Sequence, residues 1–498
     1  MRKNKLAKNT ISSLIFQIVT IISGFILPRL ILSRFGSEIN GLVNSITQFL
    51  QIIALLELGV GAVVQSSLYK PLSNNNFDTV SKMIVSAEKF FKKIAYILLI
   101  YVIILVFTYA LIAKTSYSWL FTAMLIISIS ISFFSQYYFG VVDRLLLVAD
   151  QRGYIQYNTQ TITLVLNTVV SFIFIQIGCS IQLVKLTTSI IYLIRPIYLR
   201  WYVNRNYQID RGIIFVEEPI KQKWNGLAQH IAAVVLDQTD NIVLTIFDSL
   251  RSVSIYSTYF LVINGVKQLF MSLTNGVQSL IGELWAKQEE EKLRTFFSFV
   301  EWMIHTGVTL IFGCTAILIV PFIKVYVHGI NDANYIQPLF ALLIVIANAM
   351  HCLRLPYNIM ILAGGHYKET QYNYIIAALL NICFSIIAVK IWGLIGVALG
   401  TILAMAYQTI WMAWYNSKNF ILWPFVNFFK CILVDSVVIV LSFMICGLFE
   451  LKRETYFSWM VLASKVFGVV FSIEYLVNKI VFPDKIEKLF CRIVKKKN

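Results

Sequence analysis

The sequence predicts an all-α polytopic membrane protein of about 14 transmembrane helices, because apolar stretches about 20 residues long follow one another from Ile11 to Phe482. A hydrocarbon layer about 30 Å thick takes about 20 helical residues to cross. Inside it the backbone has only itself to bond, so each stretch must be a helix. Composition agrees, with 58% hydrophobic and 13% charged residues among 498 and a mean hydropathy of +0.73. Three soluble domains, which length alone would suggest, are excluded.

In order, the predicted spans are 11–32, 39–64, 94–113, 119–148, 155–177, 181–203, 227–247, 253–281, 297–325, 335–363, 374–389, 391–414, 431–448 and 459–482. The first is longer than a signal-peptide core and lacks a small-x-small cleavage site, so it is a transmembrane helix. Connections expected on the outer side are tight (114–118, 178–180 and 248–252), and those on the inner side are longer and basic (69–93, 204–224 and 283–295). None can hold a folded ectodomain. The longest polar break after the sixth helix divides the chain into an N-terminal lobe 1–203 (helices 1–6), a cytoplasmic linker 204–226, a C-terminal lobe 227–415 (helices 7–12), and 416–498, holding helices 13 and 14 with a basic tail. A short echo between 35–42 and 248–255, each turning one helix into the next, is consistent with repeats, which in many transporters meet at a midplane site.

The net charge of +17 has two readings, nucleic acid or membrane topology, and its distribution decides. With the N-terminus inside, about 30 of the 42 Lys and Arg fall on the cytoplasmic side, as the positive-inside rule requires. Arg2, Lys3, Lys5 and Lys8 open the chain; Lys485, Lys488, Arg492 and Lys495 to Lys497 close it. Both termini are therefore expected in the cytoplasm, with an even number of spans. The tail also suits anionic lipid heads, and no nucleic-acid partner is expected. Seven cysteines (Cys179, Cys314, Cys352, Cys383, Cys431, Cys446 and Cys491) are scattered, with no CxxC pair and no His at metal spacing. They read as small apolar fillers, and no metal or cofactor is predicted.

Ionisable residues at bilayer depth are costly and normally face a cavity or a partner. The candidates are Arg29, Glu57, Lys185, Asp237, Asp240, Lys267, Arg354, Asp435 and Lys465. Asp237, Asp240 and Asn241 share one helix face, His351 and Arg354 another, and Asn264, Lys267 and Gln268 make a polar stripe. Pro28 removes a backbone bond beside Arg29 and predicts a hinge there. Lys185 and Lys465 lie within snorkelling reach of an interface, Asp435 one turn from the end of its span, and His230 near the mouth of helix 7. The plain alternative is ion pairs that fasten helices, such as Arg29 with Asp240 or Arg354 with Glu57. Arg29, Lys267, Arg354 and His351 are assigned to the substrate, and Glu57, Asp237 and Asp240 to charge pairing or to coupling by H+ or Na+. Enzyme signatures are missing: no GxxxxGK[ST], no GxGxxG after a strand, no HExxH and no Ser/His/Asp set.

Several segments carry a resemblance: Asn9 to Leu14, Leu27-Pro28-Arg29-Leu30-Ile31-Leu32, Gly36 to Leu42, Leu56-Glu57-Leu58-Gly59-Val60-Gly61, Asp240 to Leu244, and Ser254 to Ser257. Together they resemble polysaccharide flippases of the Wzx type, within the multidrug/oligosaccharidyl-lipid/polysaccharide exporter superfamily. The resemblance implies two six-helix lobes around a cationic central cavity, with helices 13 and 14 beside a groove for a lipid tail. It implies alternating access moving a polyprenyl-pyrophosphate-linked oligosaccharide repeat unit across a bacterial cytoplasmic membrane, for surface polysaccharide such as capsule or O-antigen. Partners would then be that lipid-linked oligosaccharide, membrane lipids, and a polymerase or other assembly proteins. Arg29 matches the family's helix-one arginine and Asp240 its acidic position in helix 7; Lys267 and Arg354 come from depth and helix face alone.

Two other classes stand against this one. A cation-coupled multidrug antiporter of the same superfamily would favour carboxylates near helix 1, where this chain has Arg29. A polytopic envelope-polysaccharide enzyme would want a large outer loop or a buried catalytic His, and His351 stands beside Arg354 rather than an acid.

Overall fold

A computed structural model describes residues 2–215, 219–220, 227–420 and 424–495. Every regular element among them is helical, and ten helices are long and apolar enough to cross a membrane. The fourteen predicted spans all lie on helices. α7 and α9, defined below, fall outside that count because they carry charged and amide side chains along their length.

α1 (Arg2–Gln51) holds the first span and half of the second, and its one non-helical residue is Gly36, at φ 83° and ψ 177°. The helix stays helical through Pro28. A 3-10 turn (Ile52–Ala54) leads into α2 (Leu55–Ser73). α3 (Phe77–Ile112) begins where the Asn76 side chain accepts from the Thr79 amide at 3.0 Å. Residues 77–93 had been expected as loop, and they are helix instead. The cap starts the helix early, and Val80, Ile84, Ala87 and Phe91 give this extension a buried face. α4 (Trp119–Ser135), a π-helical turn (Gln136–Gly140) and α5 (Val141–Ala149) together make the fourth span. α6 (Gly153–Gln176) and α7 (Ile181–Asn206) follow, α7 capped by Ser180.

α8 (Leu227–Phe247) and α9 (Leu250–Ala286) come next. α10 (Glu290–Tyr326) is followed by α11 (Pro338–Leu353) and α12 (Leu355–Ala363), which meet at Arg354. Pro356 lacks an N–H, so the ladder loses a bond just past that joint. α13 (Tyr367–Trp392) and α14 (Leu394–Asn419) form a tight hairpin; a Cβ at Gly396 would overlap the Ala388 carbonyl, and one at Gly400 the Ser385 hydroxyl. Such glycine spacing lets two backbones touch where lipid gives no hydrophobic drive. α15 (Val426–Cys446) and α16 (Tyr456–Val481) precede α17 (Pro483–Lys495), an amphipathic helix where the sequence suggested only a basic tail.

The helices form two compact units, Met1–Ser254 and Ile255–Asn498. In the first, the Tyr109 hydroxyl donates to Ser45 at 2.7 Å, and Ser45 and Thr245 share a hydrogen bond of 2.7 Å, so one hydroxyl chain joins α3, α1 and α8. The two echo segments touch here, Asn40 donating to Ser254 at 2.8 Å. Large apolar side chains such as Ile100, Ile104, Phe107 and Leu111 of α3 point outward, while Ser, Thr and Asn are buried. That inversion is what a lipid solvent produces. Of the predicted linker, 216–218 and 221–226 lie outside the described residues.

Candidate functional site: a cationic cavity and a cation cluster

α6 shows the inversion most clearly. Gln156, Thr159, Thr163, Asn167 and Ser171 recur every three or four residues on its buried face, and Ile162, Val165, Val169 and Phe172 face out. α7 carries a matching stripe: Lys185, Thr188, Ser189, Tyr192 and Arg195. Between these stripes, α1, α4 and the π-helical turn, the first unit holds a cavity of about 350 Å³. Arg144, Lys185 and Arg195 line it together with Ser132, Gln136 and Gln160, and no carboxylate does among the described residues. Arg195 Nε donates to Thr163 Oγ1 at 2.6 Å, its guanidinium lies 3.8 Å from the centre of the Tyr192 ring, and Asn167 donates to the Tyr192 hydroxyl at 3.3 Å. Among the described residues Lys185 makes no hydrogen bond or ion pair. A cavity lined by positive charges together with hydroxyl and amide donors suits an anion.

Two acids of this region are engaged elsewhere. Glu88 of α3 and Asp143 of α5 are buried against Arg200 of α7 and Arg211 of the following loop. Arg200 lies 2.6 Å from Glu88 and 3.2 Å from Asp143; Arg211 pairs with Glu88 and lies 2.9 Å from Asp143. Burial pulls the Arg211 guanidinium down to about 10. Asp143 and Arg144 are neighbours on one helix turned to different tasks, one to the ion cluster and one to the cavity. Below them, Asp150 takes Lys5 at 3.4 Å, Arg152 at 2.8 Å and the Tyr207 hydroxyl at 2.6 Å, and Asn9 accepts from the Tyr154 amide at 2.7 Å. The start of α1 is thus fastened to the α5–α6 turn.

In the second unit the structure gathers three residues singled out in the sequence. Lys267 of α9, His351 of α11 and Arg354 at the α11–α12 joint are all buried, and both cations act on His351 at close range. One Arg354 nitrogen lies 3.3 Å from His351 Nδ1, and another donates to Gln408 of α14. Its guanidinium lies 5.9 Å from the centre of the Tyr374 ring. Gln408 was missed, since one amide in a long apolar run gives no signal until its neighbour is known.

In the first unit, Arg29 is half-buried on α1 with Pro28 beside it, and Asp240 is buried on α8. The side chains of Glu57, Asp237 and His230 lie outside the described residues. Two expectations change. Lys185 lines the cavity rather than reaching for an interface. Asp435 is buried against His305, 2.6 Å away, rather than reaching water. Arg144 and Arg195 were not foreseen, because an isolated charge points to a cavity only once the hydroxyl and amide rows of α6 and α7 are placed face to face.

No family model matches the sequence, and no curated protein does either. Solved structures do. The chain is similar to the lipid II flippase MurJ in an inward closed conformation, with a TM-score of 0.74 at 15% identity over 96% of this chain and 99% of that one. An inward-facing multidrug resistance MATE family transporter of the MOP superfamily gives 0.63 at 14% identity, over 80% and 94%. A MOP superfamily transporter from Pyrococcus furiosus with a binding pocket of reverse polarity gives 0.54 at 14%, over 83% and 96%. These structures are transporters and flippases, not enzymes. The chain has the polytopic MurJ/MATE-like transporter fold.

Proposed function

We propose that the protein is a flippase that moves an anionic, polyprenyl-pyrophosphate-linked oligosaccharide across the cytoplasmic membrane by alternating access, in the manner of the Wzx-type exporters it resembles. The observation that supports this most is the polarity of the first unit's cavity, where Arg144, Lys185 and Arg195 stand among hydroxyl and amide side chains. Arg grips phosphate oxygens two at a time while Lys acts as a point charge. In the second unit the buried Lys267 and Arg354 supply further positive charge, Arg354 donating to the Gln408 side-chain oxygen. An inside-negative potential assists outward passage of a pyrophosphate diester by roughly 2.3 kcal/mol per charge per 100 mV. The likeness to a lipid II flippase over nearly the whole chain is consistent with a lipid-linked cargo.

The fold is shared with multidrug transporters, which makes drug export the second reading. A cationic cavity repels organic cations, so dye efflux in a sensitised host should be absent. The deciding test is export of surface polysaccharide in a deletion strain complemented with Lys185→Ala/Arg195→Ala. Accumulated lipid-linked units with no surface polymer are expected. Full export by a normally expressed double variant rejects the proposal.

A further inference from the structure

Three carboxylates and an imidazole are buried together where α10, α15 and α16 pack, in residues that none of the preceding sites uses. α10 contributes Glu301 and His305, α15 Asp435 and α16 Glu474, exposed by 2%, 2%, 7% and 3%. His305 Nδ1 and Asp435 Oδ2 are 2.6 Å apart. The Tyr357 hydroxyl donates to Glu301 at 2.7 Å. Asn478 donates to Glu474 Oε1 at 2.9 Å and accepts from Trp302 Nε1 at 2.7 Å, which ties α16 to α10 beside Glu301. Two inward polar atoms have no hydrogen-bond partner among the described residues: Glu474 Oε2 and His305 Nε2. Asp435 lies within electrostatic reach of Glu474. Around the set stand Tyr357 of α12, Cys431 and Lys430 of α15, and Lys485 of α17, whose amine contacts the Ser298 hydroxyl.

Burial disfavours ionising three carboxylates packed together, and adjacent carboxylates in a dry interior do not both ionise. Among the described residues no group of three such ligands is arranged to hold a metal ion. The ligand whose chemistry fits is the proton. We propose that Glu474, Asp435 and His305 form a proton-binding site. Glu474 Oε2 takes a proton from water, forming an O–H bond, and returns it to water when the site is emptied. The imidazole carries its own proton between Nδ1 and the facing Asp435 oxygen. Glu474 lies seven residues before the end of α16 at Val481, about 10 Å along the axis, so the path to water is short. The site's coupling role rests on the transport reading; its chemistry does not.

Infrared spectra of the full-length protein in nanodiscs, titrated with base, test the site without any substrate. A protonated-carboxyl carbonyl band is expected at neutral pH, fading as pH rises, absent in Glu474→Gln and retained in Glu301→Gln. Absence of the band from the wild-type protein overturns the proposal, as does its persistence in both Glu474→Gln and Asp435→Asn. Should those variants not fold, the wild-type titration alone decides. In proteoliposomes with the membrane potential clamped, a gradient of about one pH unit should shift the distribution of a fluorescent polyprenyl-pyrophosphate disaccharide by up to about tenfold per coupled proton. Glu474→Gln should lose that shift. A band without a gradient response removes the coupling role, and a band with no movement of the probe by the wild-type protein removes the substrate reading while leaving the proton site standing.

Discussion

Two arginines on one helix separate function from stability. Arg195 stacks on Tyr192 in the cavity with no carboxylate beside it among the described residues, whereas Arg200 is held between Glu88 and Asp143. Arg195→Ala should leave the thermal transition near that of the wild type and weaken binding of inorganic pyrophosphate about 10-fold or more, as loss of a charged hydrogen bond does. Arg200→Ala strands two buried acids and should destabilise by about 3–5 kcal/mol, read as a large fall in melting temperature. Equal effects of both substitutions on melting would contradict this division. Tyr207 carries a pH signature. Burial and the bond to Asp150 raise its phenol above the ordinary range. The folded state therefore holds the phenolic proton more tightly than the unfolded chain, and the associated stability is fully present below about pH 10 and lost above it. Tyr207→Phe should cost about 1 kcal/mol at neutral pH, and alkaline melting curves should show this deficit shrinking.

Helix pairs were legible to very different degrees. Long apolar runs in α3, α10 and α15 could be read directly, because a span needs only length and hydrophobicity. Breaks within spans could not, since they depend on where a neighbour takes up the freed groups. The π-helical turn at Gln136–Gly140 and the joint at Arg354 are both of this kind. The charges of α7 were legible as charges, but Lys185 could be assigned to the cavity only once α6 was placed opposite. The α13–α14 hairpin gives a test at this scale. Gly400→Val forces a branched side chain into Ser385 and should destabilise by about 1–3 kcal/mol, while Gly468→Val on α16, where nothing lies within 4 Å, should change melting little. Comparable losses at both positions would show that close backbone approach is not what holds the hairpin.

For the whole molecule, the positive-inside distribution and the placement of Lys5, Asp150, Arg152 and Tyr207 at one end of the first unit lead to the same topology. Reporters fused at residue 498 and inserted after Asn206 should both appear on the side of the N-terminus; opposite sides would break the even-span arrangement. That end of the unit has a mechanical meaning as well. Because Lys5 and Asn9 grip the turn that opens α6, the first helix and the row of amides and hydroxyls along α6 are geared to each other at their base. Tilting one drags the other like two spokes on a common hub, so any swing of Arg29 would re-aim the donors that surround Lys185.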